Sequence, residues 1–287
     1  MSIETDKILE SVENVPSLPI SVSRILEITQ DPYASPNDLN KLISLDPILT
    51  GKVLKLVNSA YFSLSTKVNS IVKAIILLGV NTIRNLALTT AVVPFVEVQS
   101  KSNWVLNVEG YWKHSIAVGV TSKLIGKKLG VPKELLEEHF ICGLLHDIGK
   151  VVLSHALGRK YQAVIAKSND EKCELIEAEN QLLEINHVEI GRQLAEKWTL
   201  SSSVVECISY HHNPNECNGE KRTIVYSVAI ANSFANAHKI GFSGNQAPSS
   251  IDEDLLDYLK LTVEELEGWQ GTINQEIEKA SVFMKII

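Results

Sequence analysis

The chain has 287 residues, 45% of them hydrophobic and 21% charged, with a formal net charge of −7 at pH 7. That length and apolar content suit two compact units or one extended helical unit and exclude a disordered chain. The negative balance argues against nonspecific nucleic-acid binding, which needs lysines and arginines to neutralise phosphates.

Helical periodicity dominates and no long alternating run favours a sheet, so an all-α fold is expected. Residues 15–30 carry an apolar stripe of Leu18, Ile20, Val22, Ile25, Leu26 and Ile28. Ser35-Pro36-Asn37-Asp38 offers a capping serine with proline at the first helical position, followed by Leu39, Leu42 and Ile43 on one face. Asp46-Pro47 opens a further helix through Val57, and residues 71–78 and 82–95 supply two more apolar segments. This N-terminal helical subdomain is expected to occupy residues 1–103.

A helical core is expected over residues 104–240. Its helices are predicted at 111–129, closed by Gly130 with Pro132 beyond, then at 133–155, 161–167, 174–198, 203–212 and 223–238. Residues 241–287 form a loop and a helical tail, in which Thr262-Val263-Glu264-Glu265 is a capping-box pattern. The longest apolar runs, 74–83 and 86–96, are broken by polar residues before the roughly 18 that a membrane span requires. Residues 1–7 lack a basic region followed by an apolar one. A cytoplasmic protein without a membrane span is expected. Cys142, Cys173, Cys207 and Cys217 show no CxxC spacing and read as buried or incidental thiols.

The candidate chemistry lies in an ordered set: His114, then His146-Asp147, then His187, then His211-His212. Imidazoles and a carboxylate are ligands that divalent metals accept, and bundle helices can bring such spaced residues together. Taken singly, each has a plainer reading. His114 and His187 read as core histidines, and His211-His212 as a solvated pair at a helix C-terminus. His146-Asp147 stands in an apolar segment predicted as one helix, where an ionised carboxylate is costly unless paired or metal-bound. Taken jointly, six such groups on inward faces point to a metal-competent cluster. His139, His155 and His238 read as solvated or capping residues, and Lys150 as a surface lysine that could alternatively meet an anion.

These residues resemble the HD superfamily of metal-dependent phosphohydrolases, whose pattern is a histidine, a His-Asp pair, further histidines and a final aspartate. The resemblance is closer to its HDOD branch, the HD-related output domains of bacterial signalling proteins. It rests on Val15-Pro16-Ser17-Leu18-Pro19, Leu45-Asp46-Pro47-Ile48-Leu49, Val57-Asn58-Ser59-Ala60, Ala74-Ile75-Ile76-Leu77-Leu78-Gly79, Tyr111-Trp112-Lys113-His114-Ser115, residues 143–150 and Tyr210-His211-His212. The resemblance implies an N-terminal helical subdomain packed on an HD-type core. It also implies one metal position drawn from His114, His146 and Asp147, and an adjacent one drawn from Asp147, His187, His211 and His212. Iron, manganese or a similar divalent ion is the implied cofactor. The final aspartate has no counterpart, because Asn232 stands in its place. Residues 213–222 also lack the Gly-Tyr-Pro motif of the cyclic-dinucleotide phosphodiesterases. The resemblance therefore implies a noncatalytic regulatory module with signalling proteins as partners and a nucleotide or cyclic dinucleotide as candidate ligand. The alternative is a metal-dependent phosphohydrolase acting on a nucleotide or other phosphate ester.

Overall fold

The structure is a computed structural model describing residues 3–31, 35–100, 105–245 and 250–285, and among these every regular element is helical. The first six helices are α1 (Ile3–Asn14), α2 (Ile20–Ile28), α3 (Pro36–Ser44), α4 (Pro47–Val57), α5 (Ile71–Leu78) and α6 (Val80–Ser100). Their starts follow side-chain chemistry. Ser35 accepts a hydrogen bond from the Asp38 N–H while the Asp38 carboxylate accepts from the Ser35 N–H, a reciprocal cap that satisfies two otherwise orphaned donors. Asp46 Oδ1 caps α4 by accepting from the Leu49 N–H at 2.9 Å. Gly79, at φ 84°, allows the 120° bend between α5 and α6.

The following helices are α7 (Val108–Lys128), α8 (Leu136–Leu145), α9 (Ile148–Leu157), α10 (Arg159–Glu171), α11 (Leu175–Leu183), α12 (His187–Lys197), α13 (Ser202–Tyr210) and α14 (Arg222–Ala237). Three short helices close the chain: α15 (Glu253–Tyr258), α16 (Val263–Gly268) and α17 (Gln270–Ala280). Thr262 and Glu265 form the expected capping box on α16. Helix α7 is central, packed against α8 on one side and α14 on another.

Glycines set how closely these helices cross. A Cβ on Gly143 of α8 would stand 2.6 Å from Gly119 Cα of α7. One on Gly149 of α9 would stand 1.9 Å from the His187 carbonyl oxygen, and one on Gly191 of α12 would stand 2.8 Å from Ile208 Cγ2. Backbones therefore touch where α7 meets α8 and where α9 meets α12, which draws the functional side chains together.

The structure corrects several sequence expectations. The helix expected over 133–155 is broken at the His-Asp pair: α8 ends at Leu145, and Asp147, at φ −101° and ψ 14°, is the N-cap of α9. The helix expected over 174–198 is two helices, because Glu184 takes a left-handed conformation at φ 56°. The unexpected α1 buries Ile8 and Val12, one turn apart, against α9 and α12. The expected boundary between residues 103 and 104 lies outside the described residues, as do residues 246–249 of the expected loop and tail over 241–287. Lys133–Leu157 has the length and hydropathy of a membrane span, yet its apolar window is 83% buried inside the fold.

Candidate metal centre

Four parts of the fold deliver the six expected residues to one place. His114 comes from the middle of α7, His146 and Asp147 from the break between α8 and α9, His187 from the first turn of α12, and His211 and His212 from the end of α13. Asp147 is the hub. Its Oδ1 lies 3.4 Å from His187 Nε2 and 3.6 Å from His211 Nε2. Its Oδ2 lies 3.3 Å from His146 Nε2 and 3.9 Å from His114 Nε2. Asp147, His187, His211 and His212 each offer a ligand atom within 4.8 Å of the others; His114, His146 and Asp147 form a second such group. His146, Asp147 and His187 are fully buried, and the His212 side chain is the most accessible at 10%.

Hydrogen bonds on the far side of four rings fix their protons. His146 Nδ1 is 2.7 Å from the Gly143 carbonyl, and His211 Nδ1 is 3.0 Å from that of Ile208. Carbonyls only accept, so both nitrogens donate. His187 Nδ1 faces Glu179 Oε2 at 2.6 Å, and His212 Nδ1 faces Glu174 Oε2 at 3.0 Å. With the proton on Nδ1, each Nε2 presents a bare lone pair. These four Nε2 atoms and Asp147 Oδ1 are buried with no hydrogen-bond partner among the described residues.

Lone pairs facing lone pairs at 3.3–3.6 Å repel unless a proton or a cation stands between them. Neighbouring donors on a tetrahedral ion with bonds of about 2.1 Å stand about 3.4 Å apart. The residues present therefore fit a divalent metal.

The two sides of Asp147 differ. On the Oδ2 side, Lys150 donates to that oxygen at 2.7 Å from a side chain only 3% exposed. Lys150 is thus no surface lysine. Asn232 Oδ1 accepts from Asn236 Nδ2 at 3.2 Å and from His114 Nε2 at 3.1 Å, so the His114 nitrogen that faces Asp147 carries a proton. On the Oδ1 side, no hydrogen bond among the described residues competes with His187, His211 and His212.

Burial dominates the titration of the rings. It pushes His114 and His211 down to about 3, and His187 well below its ordinary range. These three rings are therefore neutral, the form that binds metal. For Asp147, burial opposes ionisation but is outweighed by the adjoining His146 ring and the Lys150 ammonium, which hold the carboxyl well below its usual range. Burial pushes Glu179 up to about 7, although Tyr161 Oη and the His187 N–H donate to it. The His212 ring's hydrogen bond lowers Glu174.

Glu174 and Glu179 escaped the sequence reading, and Lys150, read there as a surface lysine that could alternatively meet an anion, is buried on the Asp147 carboxylate. Glu179 carried a signal, since it stands between Leu175 and Leu183 at four-residue steps, an acid on an apolar stripe. Such an acid demands a partner, and here it orients His187 by the carboxylate–histidine pairing common beneath metal ligands. His139 also departs from expectation: it is buried at 4% exposure, its ring against Gly126 and 3.3 Å from Ser122 Oγ. His155 and His238 are partly buried and lie outside the cluster, the first near the Gln99 carbonyl and the second paired with Glu267. Cys142, Cys207 and Cys217 are buried free thiols, as expected.

An all-helical fold enclosing a histidine–aspartate cluster defines a class of HD-like proteins. The chain belongs to the HDOD domain family, which it matches over residues 15–214. It is 27% identical to an HDOD domain protein of unknown function from Geobacter sulfurreducens, with a TM-score of 0.76 over 96% of each chain. A Marinobacter aquaeolei protein described as a candidate signal transduction protein shares the fold, with 19% identity and a TM-score of 0.75 over 99% of this chain and 65% of that one. An uncharacterized protein of Treponema pallidum is 27% identical over 90% of this chain and 48% of its own length. The chain thus spans about half the length of that curated relative.

Proposed function

We propose that the chain is a noncatalytic signal-transduction module that holds one divalent metal as a structural staple and acts through contacts with other signalling proteins. One observation carries the reading: Asn232 stands where the HD pattern closes with an aspartate, and its carbonyl oxygen already accepts hydrogen bonds from His114 and Asn236. A neutral amide supplies neither the charge nor a free oxygen for a metal on the His114 side. The depth of the cluster agrees with this reading, because structural metal sites are closed whereas catalytic ones keep an open position.

Asp147, His187, His211 and His212 would hold the ion. When bound, it would supply a fixed positive charge joining the α8–α9 break to α12 and α13. Glu179 and Glu174 keep the proton of His187 and His212 on Nδ1, and Lys150 neutralises the other carboxylate oxygen. Iron or manganese is the expected ion. The Marinobacter relative's description supports the signalling role, and the cytoplasmic location expected from the sequence accords with it.

The alternative reading, a metal-dependent phosphohydrolase acting on a nucleotide or other phosphate ester, is favoured by the complete donor set on the Oδ1 side. Purified protein supplied with manganese or iron and screened against nucleotides, cyclic dinucleotides and simple phosphate esters separates the two. The expected result is metal near one equivalent and no turnover above background. Turnover that disappears in Asp147→Ala would overturn the noncatalytic reading.

A further inference from the structure

Helix α1 lies before the segment 15–214 that matches the HDOD family, and its seat is made by α9 and α12. Ile8 and Val12 are buried in that seat. The same two helices begin at the cluster, since Asp147 is the N-cap of α9 and His187 is the first residue of α12.

The far end of α12 grips α1. Lys197 Nζ donates to the Val12 carbonyl at 3.1 Å, to that of Val15 at 2.7 Å and to that of Glu13, so all three ammonium protons serve the C-terminal end of α1. A lysine there satisfies carbonyls that the helix leaves without partners and complements the negative end of its dipole. Trp198 follows, donating from Nε1 to the Pro16 carbonyl at 3.1 Å while its ring meets Phe95 of α6 edge-on at 5.1 Å. One helix of 11 residues therefore carries a candidate metal ligand in its first turn and the anchor of α1 in its last.

The seat and the cluster share an interface. Beside Asp147 the contact between α9 and α12 is backbone on backbone, with a Cβ on Gly149 falling 1.9 Å from the His187 carbonyl oxygen. Across that contact Asp147 Oδ1 faces the bare Nε2 of His187 at 3.4 Å. Facing lone pairs push the two helices apart, and a cation between them reverses the sign of the force. A backbone contact has no rotamer to absorb the change, so the change passes to whatever lies across both helices.

We propose that α1 is the output element of the module, seated while the cluster holds a divalent ion and released when the ion is lost, with Lys197 as the positioning residue that ties it to α12. This coupling rests on the staple reading and adds the segment that reports occupancy. Off its seat a helix of 12 residues is marginal in water, so release exposes its amides to solvent. Coupling is also reciprocal: a substitution that loosens α1 must weaken metal binding by the same factor.

The test follows amide hydrogen exchange by mass spectrometry on the full chain, stripped with a chelator and then reloaded with manganese, with metal content read by elemental analysis. Manganese is expected to slow exchange in α1 at least about tenfold and to change α4, which packs on α3, α5 and α6, by less than about twofold. Lys197 is exposed, and circular dichroism checks that Lys197→Gln is folded. That variant should speed exchange of manganese-loaded α1 at least about threefold and raise the manganese Kd by the same factor. Faster exchange with an unchanged Kd would overturn the proposal. A chain that takes up manganese while α1 and α4 slow equally, or while neither slows, overturns the coupling alone. A chain that takes up none overturns the staple reading and the coupling together.

Discussion

Asn232 Oδ1 accepts from His114 Nε2 at 3.1 Å and thereby takes the one nitrogen of that ring that faces Asp147. An aspartate at this position would reverse the situation by adding a negative charge and two acceptor oxygens beside His114, His146 and Asp147. Asn232→Asp is therefore expected to raise bound manganese or iron from about one to about two equivalents per chain, read by elemental analysis after extensive dialysis. An unchanged content would mean that residue 232 does not govern the His114 side.

Metal removal should cost stability, because an ion that binds only the native state stabilises it by mass action. At a free ion concentration 100 times Kd the contribution is about 2.7 kcal/mol, which for a chain of this size corresponds to roughly 4–5 °C in melting temperature. Without the ion, the bare Nε2 atoms of His187 and His211 face Asp147 Oδ1 with nothing between them. A strong chelator should therefore lower the melting temperature of wild-type protein and leave that of Asp147→Asn nearly unmoved. Equal behaviour of the two proteins would remove the staple from the account.

The sequence announced the cluster but not its surroundings, and the reason is physical. Local chemistry was legible: the Ser35 and Thr262 caps and the Asp46-Pro47 helix start each depend on residues within one turn. The order of the imidazoles was legible as well. The break at His146-Asp147 was not, because the flanking residues are apolar and hold no proline, and the break follows from α9 pressing Gly149 onto α12. The burial of Lys150 and His139 was equally hidden, since His139 packs its ring on Gly126 of another helix and Lys150 turns inward to the Asp147 carboxylate. The left-handed Glu184 carried no glycine or asparagine to mark it.

His139 provides a test away from the metal ligands. Burial pushes its ring down to about 4, so the native state holds it neutral where the unfolded chain, near 6.5, is protonated. Between those values the unfolded state binds more protons, and stability rises with pH. The contribution is fully present above pH 6.5 and is lost as pH falls toward 4, reaching about 3 kcal/mol. Denaturant titrations of His139→Gln across this window should give a shallower acid slope than wild type. Parallel slopes would show that His139 is not held neutral by the fold.

Gly149 and Gly51 make the last pair. Both stand inside helices, so alanine is intrinsically favoured at each by roughly 0.5–1 kcal/mol. At Gly51 no atom of the described residues lies within 4 Å of an added Cβ, and Gly51→Ala should be stabilising by about that amount. At Gly149 the same methyl would stand 1.9 Å from the His187 carbonyl and 2.7 Å from the Gly191 nitrogen, both backbone atoms that cannot rotate away. Gly149→Ala must push α9 off α12, with an expected loss of about 3 kcal/mol or more from overpacking. The same displacement draws Asp147 away from His187, so metal affinity should fall with stability, whereas Gly51→Ala keeps full metal content. Urea denaturation and metal analysis of the two proteins check both halves. A stable, metal-replete Gly149→Ala would mean that the contact between α9 and α12 does not set the geometry of the cluster.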